Sequence, residues 1–229
     1  VVVPRSAAGD AFVAAATAHF AGAAPMVLFS QGGVDHLAAS VATLRQAGAA
    51  VLAGGASGQV GGFRFAPTLL CVDARDFIDR PQALQTEAFG PVGLLVRVGD
   101  AQEMVQVAQA FQGNLTGTLY RASDGGDDAA WQAIAPVLRA RVGRLINSKM
   151  PTGVAVSAAQ NHGGPFPSTA HPGFTAVGMP GAIRRFAALH SYDAVPDALL
   201  PVELRDTNPA GVQRLVDGVW TTASLGGAA

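Results

Sequence analysis

The chain has 229 residues, of which 49% are hydrophobic and only 14% are charged. A composition this apolar can bury a substantial core, which argues against disorder over most of the length. The formal net charge is −1 and no basic block is present, so neither nucleic acid nor a membrane surface is expected as a partner. The single cysteine, Cys71, rules out an intramolecular disulfide, argues against a cysteine-based metal site and fits a reducing, cytoplasmic setting.

The sequence predicts no transmembrane span. The most apolar run, residues 11–28, contains Thr17 and His19 as well as the helix-breaking Pro25. The sequence also begins with Val1 instead of methionine, in a run of three valines that is typical of a strand already under way. We therefore expect a processed chain or a fragment of a longer protein, and a deliberately trimmed chain is the alternative.

The predicted elements alternate between helices and strands up to about residue 150. Helical periodicity is found in residues 7–20, 34–46, 101–110 and 127–139. Short apolar runs predict strands at residues 1–3, 50–52, 68–72, 94–98, 115–120 and 142–147. Asp100 and Glu103 have the spacing of a capping box, which opens the third helix. This alternation predicts an α/β fold with a mostly parallel sheet and flanking helices.

The sequence changes character after Pro151. Glycine and proline in residues 163–167 and 171–173 predict loops, and one more helix is predicted at about residues 180–188. The tail from Ser191 is rich in proline, aspartate and asparagine, and its last apolar element is residues 212–220. We therefore divide the chain into a domain, residues 1–190, and a loop-rich C-terminal tail, residues 191–229.

The clearest candidate site is the segment Glu87-Ala88-Phe89-Gly90-Pro91. Glycine tolerates unusual backbone angles and proline fixes its own, so this turn can hold Glu87 and Phe89 in fixed positions before a buried strand. A carboxylate suits a vicinal diol such as that of ribose, and an aromatic face suits a flat heteroaromatic ring. The alternative is a solvated glutamate beside a phenylalanine that fills the core.

These residues, with other segments in the same order, resemble the aldehyde dehydrogenase superfamily. Residues 86–91 are similar to its Glu-x-Phe-Gly-Pro motif, in which the glutamate binds the nicotinamide ribose and the phenylalanine packs near the nicotinamide. Residues 61–70 resemble its glycine-rich turn and Pro-Thr strand, and residues 143–147 resemble its late strand that ends in asparagine. The resemblance covers nearly the whole chain and implies the C-terminal part of an aldehyde dehydrogenase catalytic domain, which is incomplete here.

The loop at residues 161–167 departs from the commoner Pro-Phe-Gly-Gly version of the family. It resembles the branch that contains α-ketoglutaric semialdehyde (2,5-dioxovalerate) dehydrogenases and some fatty aldehyde dehydrogenases. Residues 183–186, 192–196 and 208–220 also suit that branch. The resemblance implies oxidation of an aldehyde to a carboxylic acid with NAD or NADP, and it favours a small oxo-acid semialdehyde as substrate.

The resemblance assigns the cofactor contacts to Glu87 and Phe89. It also gives candidates for the aldehyde pocket, namely Asn147, Pro151, Thr152, His162 and Phe166. For His162, packing of the loop is the alternative role. The five histidines lack the spacing of metal ligands, so no metal site is predicted.

The resemblance assigns no catalytic residue to this chain. The nucleophile of the family is a cysteine, which the family spacing places a few residues before Val1. The general-base glutamate and the cofactor-binding domain are expected further upstream. Cys71 lies in a predicted strand, away from that position, and is expected to be a small buried hydrophobic residue.

The leading hypothesis is that the chain is part of an NAD(P)-dependent aldehyde dehydrogenase that forms a homo-oligomer at full length. By itself the chain is expected to be inactive, with an exposed sheet edge and an exposed apolar face. A second hypothesis is a catalytically inactive remnant that acts only by associating with other subunits through its tail. The third is a nucleotide-binding module that uses Glu87 and Phe89 alone and lacks most contacts to the pyrophosphate.

Overall fold

The computed structural model of the chain describes residues 1–56, 62–151, 157, 159–171, 173, 175 and 181–225. In these ranges, every helix is too short or too polar to cross a membrane. The chain divides into two compact units, Val1–Arg185 and Phe186–Ala229.

The first unit contains α-helices and β-strands in alternation. In chain order they are β1 (Val2–Pro4), α1 (Ala7–Gly22), β2 (Met26–Val27), α2 (Gln31–Gln46), β3 (Ala50–Ala53), β4 (Arg64–Phe65), β5 (Thr68–Asp73), α3 (Ala74–Asp79), α4 (Pro81–Leu84), β6 (Val92–Val98), α5 (Ala101–Ala110), β7 (Asn114–Leu119), α6 (Asp128–Arg139) and β8 (Val142–Asn147). A 3₁₀ helix, Gly181–Arg185, stands where the sequence predicts a longer helix at residues 180–188.

A four-stranded sheet with the order β1-β6-β5-β3 forms the centre of this unit. Strands β1, β6 and β5 are parallel, and β3 pairs antiparallel with β5 at the outer edge. Strands β7 and β8 form a separate parallel pair, and β2 and β4 form a short antiparallel pair. The predicted α/β fold with a mostly parallel sheet is therefore confirmed.

Apolar side chains cover both faces of the four-stranded sheet. Successive residues of a strand point to opposite faces, and strands buried on both faces are therefore apolar throughout. Leu70 and Val96 pack on one face with side chains of α3 and α5. Leu69 and Leu95 pack on the other face with side chains of α1. The two layers fix β5 and β6, and with them the turn that leads into β6.

Serine or aspartate side chains cap helices α1, α2 and α5. Asp100 accepts a hydrogen bond from the Glu103 amide at 2.8 Å, which confirms that half of the predicted capping box. The Glu103 carboxylate, however, accepts from the Gly99 amide, one residue before the cap. Helix α2 begins at Gln31 because Ser30 caps it, so glycines 32–33 are helical and the helix starts three residues before the predicted range 34–46.

The described residues include an exposed sheet edge and exposed apolar side chains, both of which are expected. Strand β1 is the outer strand on one side of the four-stranded sheet. Met26 and Val27 of β2 are exposed, and Phe29, which follows β2, is fully exposed. These side chains form apolar surface that the described part of the chain leaves uncovered.

The second unit contains two short 3₁₀ helices, Asp197–Leu199 and Val202–Leu204, and a hairpin of β9 (Arg214–Val216) and β10 (Val219–Thr221). The predicted apolar element at residues 212–220 is therefore two strands. Asp217 and Gly218 form the turn between them with φ values of 48° and 81°. Aspartate followed by glycine favours this two-residue turn, because both central residues need positive φ.

Hydrogen bonds from Asn208 hold this hairpin in place. Asn208 is 8% exposed and is the one buried residue among the described residues of the second unit. Its amide group donates to the carbonyl oxygens of Val212 at 2.7 Å and Thr222 at 2.9 Å, and it accepts from the Val212 amide at 3.0 Å. Arg205 and Arg214 also donate to backbone carbonyls of this unit, so polar contacts hold its described residues without an apolar centre.

We expect Asn208→Ala to loosen the hairpin, because the change removes three part-buried hydrogen bonds to backbone groups of Val212 and Thr222, at about 1–3 kcal/mol. Hydrogen exchange of the amides of residues 212–222 should accelerate in this variant. Gln213→Ala is the control, since Gln213 is exposed. Equal exchange in the two variants would contradict this role of Asn208.

Candidate functional site

The turn between α4 and β6, residues 85–91, carries the two predicted cofactor contacts. Its end is fixed to the sheet, because the Thr68 amide donates to the Pro91 carbonyl at 2.8 Å. Its middle is fixed to α2, because the Ser40 hydroxyl donates to the Glu87 carbonyl at 3.3 Å. Ala88 packs against two apolar clusters of the core. The backbone of this turn is therefore anchored at several points.

The side chains of Glu87 and Phe89 both point away from the core. Glu87 is exposed, and its carboxylate makes no hydrogen bond or ion pair with any residue that the structure describes. Phe89 is 82% exposed. The alternative in which Phe89 fills the core is thus excluded. Ala88, which lies between Glu87 and Phe89, is the residue of this turn that packs against the core. An anchored backbone presents an unpartnered carboxylate and an uncovered aromatic ring two residues apart.

Gly90 is needed in this turn because of close packing, whereas the sequence predicts a need for unusual backbone angles. Its φ lies outside the left-handed region, so backbone freedom does not explain the glycine. A Cβ at this position would lie 2.5 Å from Cδ2 of Leu37, a buried side chain of α2. Glycine therefore allows close approach of the turn to α2.

Two of the predicted pocket residues, Asn147 and Pro151, lie at the carboxyl end of β8 and just after it. Asn147 is the last residue of β8 and pairs with Leu119 of β7. Asn147 and Pro151 are both exposed. Thr152, the third predicted residue here, lies outside the described residues.

His162 and Phe166 lie on a loop that is packed against the opposite end of β7 and β8. A Cβ on Gly143 would overlap the carbonyl oxygen of Gly163, and a Cβ on Gly113 would overlap that of Pro165. The loop backbone thus contacts the chain directly before β7 and at the start of β8. The side chains of His162 and Phe166 are exposed.

Asn161 fixes the conformation of this loop. Its side-chain amide donates to the Gly163 carbonyl and accepts from the Gly163 amide, both at 3.2 Å. The hydroxyl of Thr175 donates to the same side-chain oxygen at 2.5 Å, and the His162 amide donates to the Thr175 carbonyl at 2.9 Å. These bonds fix the backbone on both sides of His162.

The predicted pocket residues therefore occupy two places. The loop that carries His162 and Phe166 contacts β8 at Gly143. Asn147 lies four residues further along β8, which corresponds to about 13 Å along a strand. His162 and Phe166 lie on the same loop, whereas Asn147 lies at the end of β8 and Pro151 follows it. The two pairs are separated by most of the length of β8.

Ser40 and Leu37 hold the Glu87 turn and are absent from the sequence-based candidates. The signal that could have identified Ser40 is its position, since it interrupts the apolar face formed by Leu37, Val41 and Leu44. A polar residue among core positions of a helix needs a hydrogen-bond partner. The sequence does not reveal that the partner is the Glu87 carbonyl.

Cys71 lies in β5 and packs against the core layer that includes Leu69 and Leu95. Burial raises the pKa of its thiol, which keeps it protonated and a poor nucleophile. This agrees with its predicted role as a small hydrophobic residue. In the described part of the chain, no three histidine, cysteine, aspartate or glutamate side chains are grouped as metal ligands.

Known proteins are similar to most of this chain. Residues 18–164 match the model of the aldehyde dehydrogenase family. The chain is 43% identical over 147 residues to α-ketoglutaric semialdehyde dehydrogenase 2 of Azospirillum brasilense, a match that covers 64% of this chain and 27% of that protein. It is 33% identical over 218 residues to α-ketoglutaric semialdehyde dehydrogenase of Acinetobacter baylyi, covering 95% of this chain and 41% of that protein.

A solved structure shares the fold. The apo crystal structure of a betaine aldehyde dehydrogenase mutant from Staphylococcus aureus superposes with a TM-score of 0.53 at 19% identity, and covers 71% of this chain and 32% of that one. The chain thus spans less than half the length of these relatives. The family match over residues 18–164 covers more than half of the 229 residues. The chain belongs to the aldehyde dehydrogenase family.

Proposed function

We propose that this chain is the C-terminal part of the catalytic domain of an NAD(P)-dependent aldehyde dehydrogenase. The observation that carries the proposal is the anchored turn that presents Glu87 and Phe89 to solvent. The whole protein would oxidise a small oxo-acid semialdehyde to the carboxylic acid. Two relatives named as α-ketoglutaric semialdehyde dehydrogenases support this substrate class, and the chain covers 27% and 41% of their lengths.

The chemistry of the two side chains fits a pyridine nucleotide. The unpartnered Glu87 carboxylate can accept two hydrogen bonds from the vicinal hydroxyls of a ribose. The face of Phe89 can pack against a flat ring, which would remove its exposed apolar surface from water. NAD or NADP bound there would supply the hydride acceptor for the oxidation. The chain contributes binding and orientation through these two side chains.

The register of the sheet supports the proposal that the nucleophilic cysteine lies in a part of the whole protein that precedes Val1. Strand β1 is parallel to β6, with Val2 opposite Val96. Three more residues in the same register would reach the level of Val92, the first residue of β6 after the Glu87 turn. A cysteine at that point would therefore lie near Glu87 and Phe89. We propose that its thiolate attacks the aldehyde.

The aldehyde contacts are proposed at the two places described above. His162 and Phe166 are exposed on a loop whose backbone is fixed, which suits a pocket wall. Asn147 and Pro151 would contact the substrate from the end of β8, and Thr152 remains a candidate from the sequence. No metal is needed for this mechanism.

We also propose that residues 191–229 help to form a homo-oligomer of the full-length enzyme in the cytoplasm. Large apolar side chains of the tail, such as Leu199 and Trp220, are exposed. Apolar surface of this kind favours association with another subunit. The same observation suits the second candidate function, an inactive remnant that acts only by association with complete subunits.

The test compares the natural full-length gene product with the present 229-residue chain. We expect the full-length protein to form NADH or NADPH with α-ketoglutaric semialdehyde, and the chain alone to show no turnover. Turnover by the chain alone would contradict the proposed location of the nucleophile. A native gene product whose mass equals that of this chain would favour the inactive remnant.

A further inference from the structure

Ser40 is a buried polar residue on the apolar face of α2. It is 6% exposed and lies near Leu37, Val41 and Leu44 on that face. A serine hydroxyl in a helix commonly donates to the carbonyl four residues earlier. The Ser40 hydroxyl instead donates to the Glu87 carbonyl, 47 residues away in the sequence, at 3.3 Å. Its hydrogen bond therefore joins α2 to the turn of the candidate site.

The same face of α2 contacts the turn at a second point. Leu37 is one helical turn before Ser40, and its Cδ2 atom would lie 2.5 Å from a Cβ at Gly90. The contacts of α2 at Glu87 and Gly90 thus flank Ala88 and Phe89. Ala88 packs against the cluster that includes Leu37, so the backbone of the turn is held against α2 along its length.

The position of the Glu87 backbone determines where its carboxylate lies. The side chain has no partner among the described residues that could orient it, so its direction depends on the backbone that carries it. Losing the Ser40 hydrogen bond would leave the Glu87 carbonyl without this partner and allow the peptide to rotate toward water. That rotation would move the carboxylate away from a bound ribose.

We propose that Ser40 is a positioning residue of the nucleotide site, acting through its hydrogen bond to the Glu87 carbonyl. The inference rests on the proposed function, in which Glu87 binds the nicotinamide ribose. Ser40 itself would not touch the nucleotide, and it takes no part in the chemical step. Its effect should therefore appear in nucleotide binding and depend on the Glu87 carboxylate.

The experiment uses the full-length protein with Thr or Val at position 40. These two side chains have nearly the same shape and differ by the hydroxyl. We expect Ser40→Thr to retain the affinity for NAD and NADP, and Ser40→Val to weaken it by about 3- to 10-fold, the range for loss of one hydrogen bond. The KM for the aldehyde should change less than the Kd of the nucleotide.

Thr43→Ala is the matched control on the same helix. The Thr43 hydroxyl donates within α2, to the Ala39 carbonyl at 3.1 Å, and the residue is exposed. We expect this variant to bind nucleotide as the unmodified protein does. If Ser40→Val and Thr43→Ala give the same affinity, the positioning role is refuted.

A double-mutant cycle with Glu87→Gln separates positioning from a general loss of structure. If Ser40 acts through the carboxylate, Ser40→Val should have little further effect in the Glu87→Gln background. An undiminished effect would refute the inference. If Glu87→Gln alone leaves nucleotide affinity unchanged, the proposed function fails as well. If Glu87→Gln weakens binding and Ser40→Val does not, only the inference about Ser40 fails.

Discussion

Replacing Glu87 with glutamine in the full-length protein is expected to weaken nucleotide binding by about 10- to 100-fold, since hydrogen bonds to a charged group contribute about 1.5–3 kcal/mol. Glutamine keeps the shape of the side chain but removes the charge. It also replaces one accepting oxygen with an NH₂ group that cannot accept a hydrogen bond. The ribose diol would lose at least one of its two partners.

The loss of affinity in the Glu87→Gln variant should be equal for NAD and NADP. The extra phosphate of NADP is on the adenosine ribose, whereas the proposed contact of Glu87 is with the nicotinamide ribose, which the two cofactors share. Titration of each nucleotide against the purified variant measures this. A selective loss for one nucleotide would place Glu87 near the adenosine end.

Glu203→Gln is the matched control for the Glu87 substitution. Glu203 is also exposed, and it lies in the 3₁₀ helix Val202–Leu204 of the second unit. The same chemical change there should leave nucleotide affinity unaltered. Equal affinities of the Glu87 and Glu203 variants would remove Glu87 from the site.

The order of strands and helices could be predicted because their apolar patterns are long. Strands β5 and β6 are near-continuous apolar runs, as strands buried on both faces require. The short helices α3 and α4 were not predicted, because six and four residues are too few to show a periodicity. The start of α2 was missed because the cap formed by Ser30 overrides the low helix propensity of the two glycines that follow.

The candidate site could be predicted only where it is local in sequence. Glu87 and Phe89 are two residues apart, and a single motif identifies them. Ser40 acts on the Glu87 carbonyl over 47 residues, and only the folded chain shows that contact. The separation of Asn147 from the loop that carries Phe166 depends likewise on contacts at Gly143, which no sequence pattern reveals.

Gly54→Ala is expected to reduce the free energy of unfolding by about 3–5 kcal/mol, the range for the most damaging single substitutions. Gly54 has a φ of +73°, a conformation that alanine adopts only with strain. A Cβ there would also overlap the Pro67 carbonyl and lie 2.9 Å from the Thr68 hydroxyl oxygen. Backbone cannot give way as a flexible side chain can, so the ends of β3 and β5 would have to separate.

That separation would break a buried polar contact. Thr68 is fully buried, and its hydroxyl accepts from the Gly55 amide at 2.8 Å and donates to the Ala66 carbonyl at 2.9 Å. Both bonds hold the start of β5, whose first residue also donates to the Pro91 carbonyl at the end of the Glu87 turn. We therefore expect weaker nucleotide binding in addition to the lower stability.

Gly62→Ala separates the two causes of the stability loss. Gly62 has a φ of +94°, but no heavy atom of the residues that the structure describes lies within 4 Å of a Cβ built there. This variant should lose only the conformational part, about 1 kcal/mol. Urea unfolding and hydrogen exchange of β5 amides measure the difference between the two variants. Equal losses of unfolding free energy in the two variants would mean that β3 and β5 move apart at little cost to make room for the methyl group. Backbone strain alone would then explain the need for glycine at position 54.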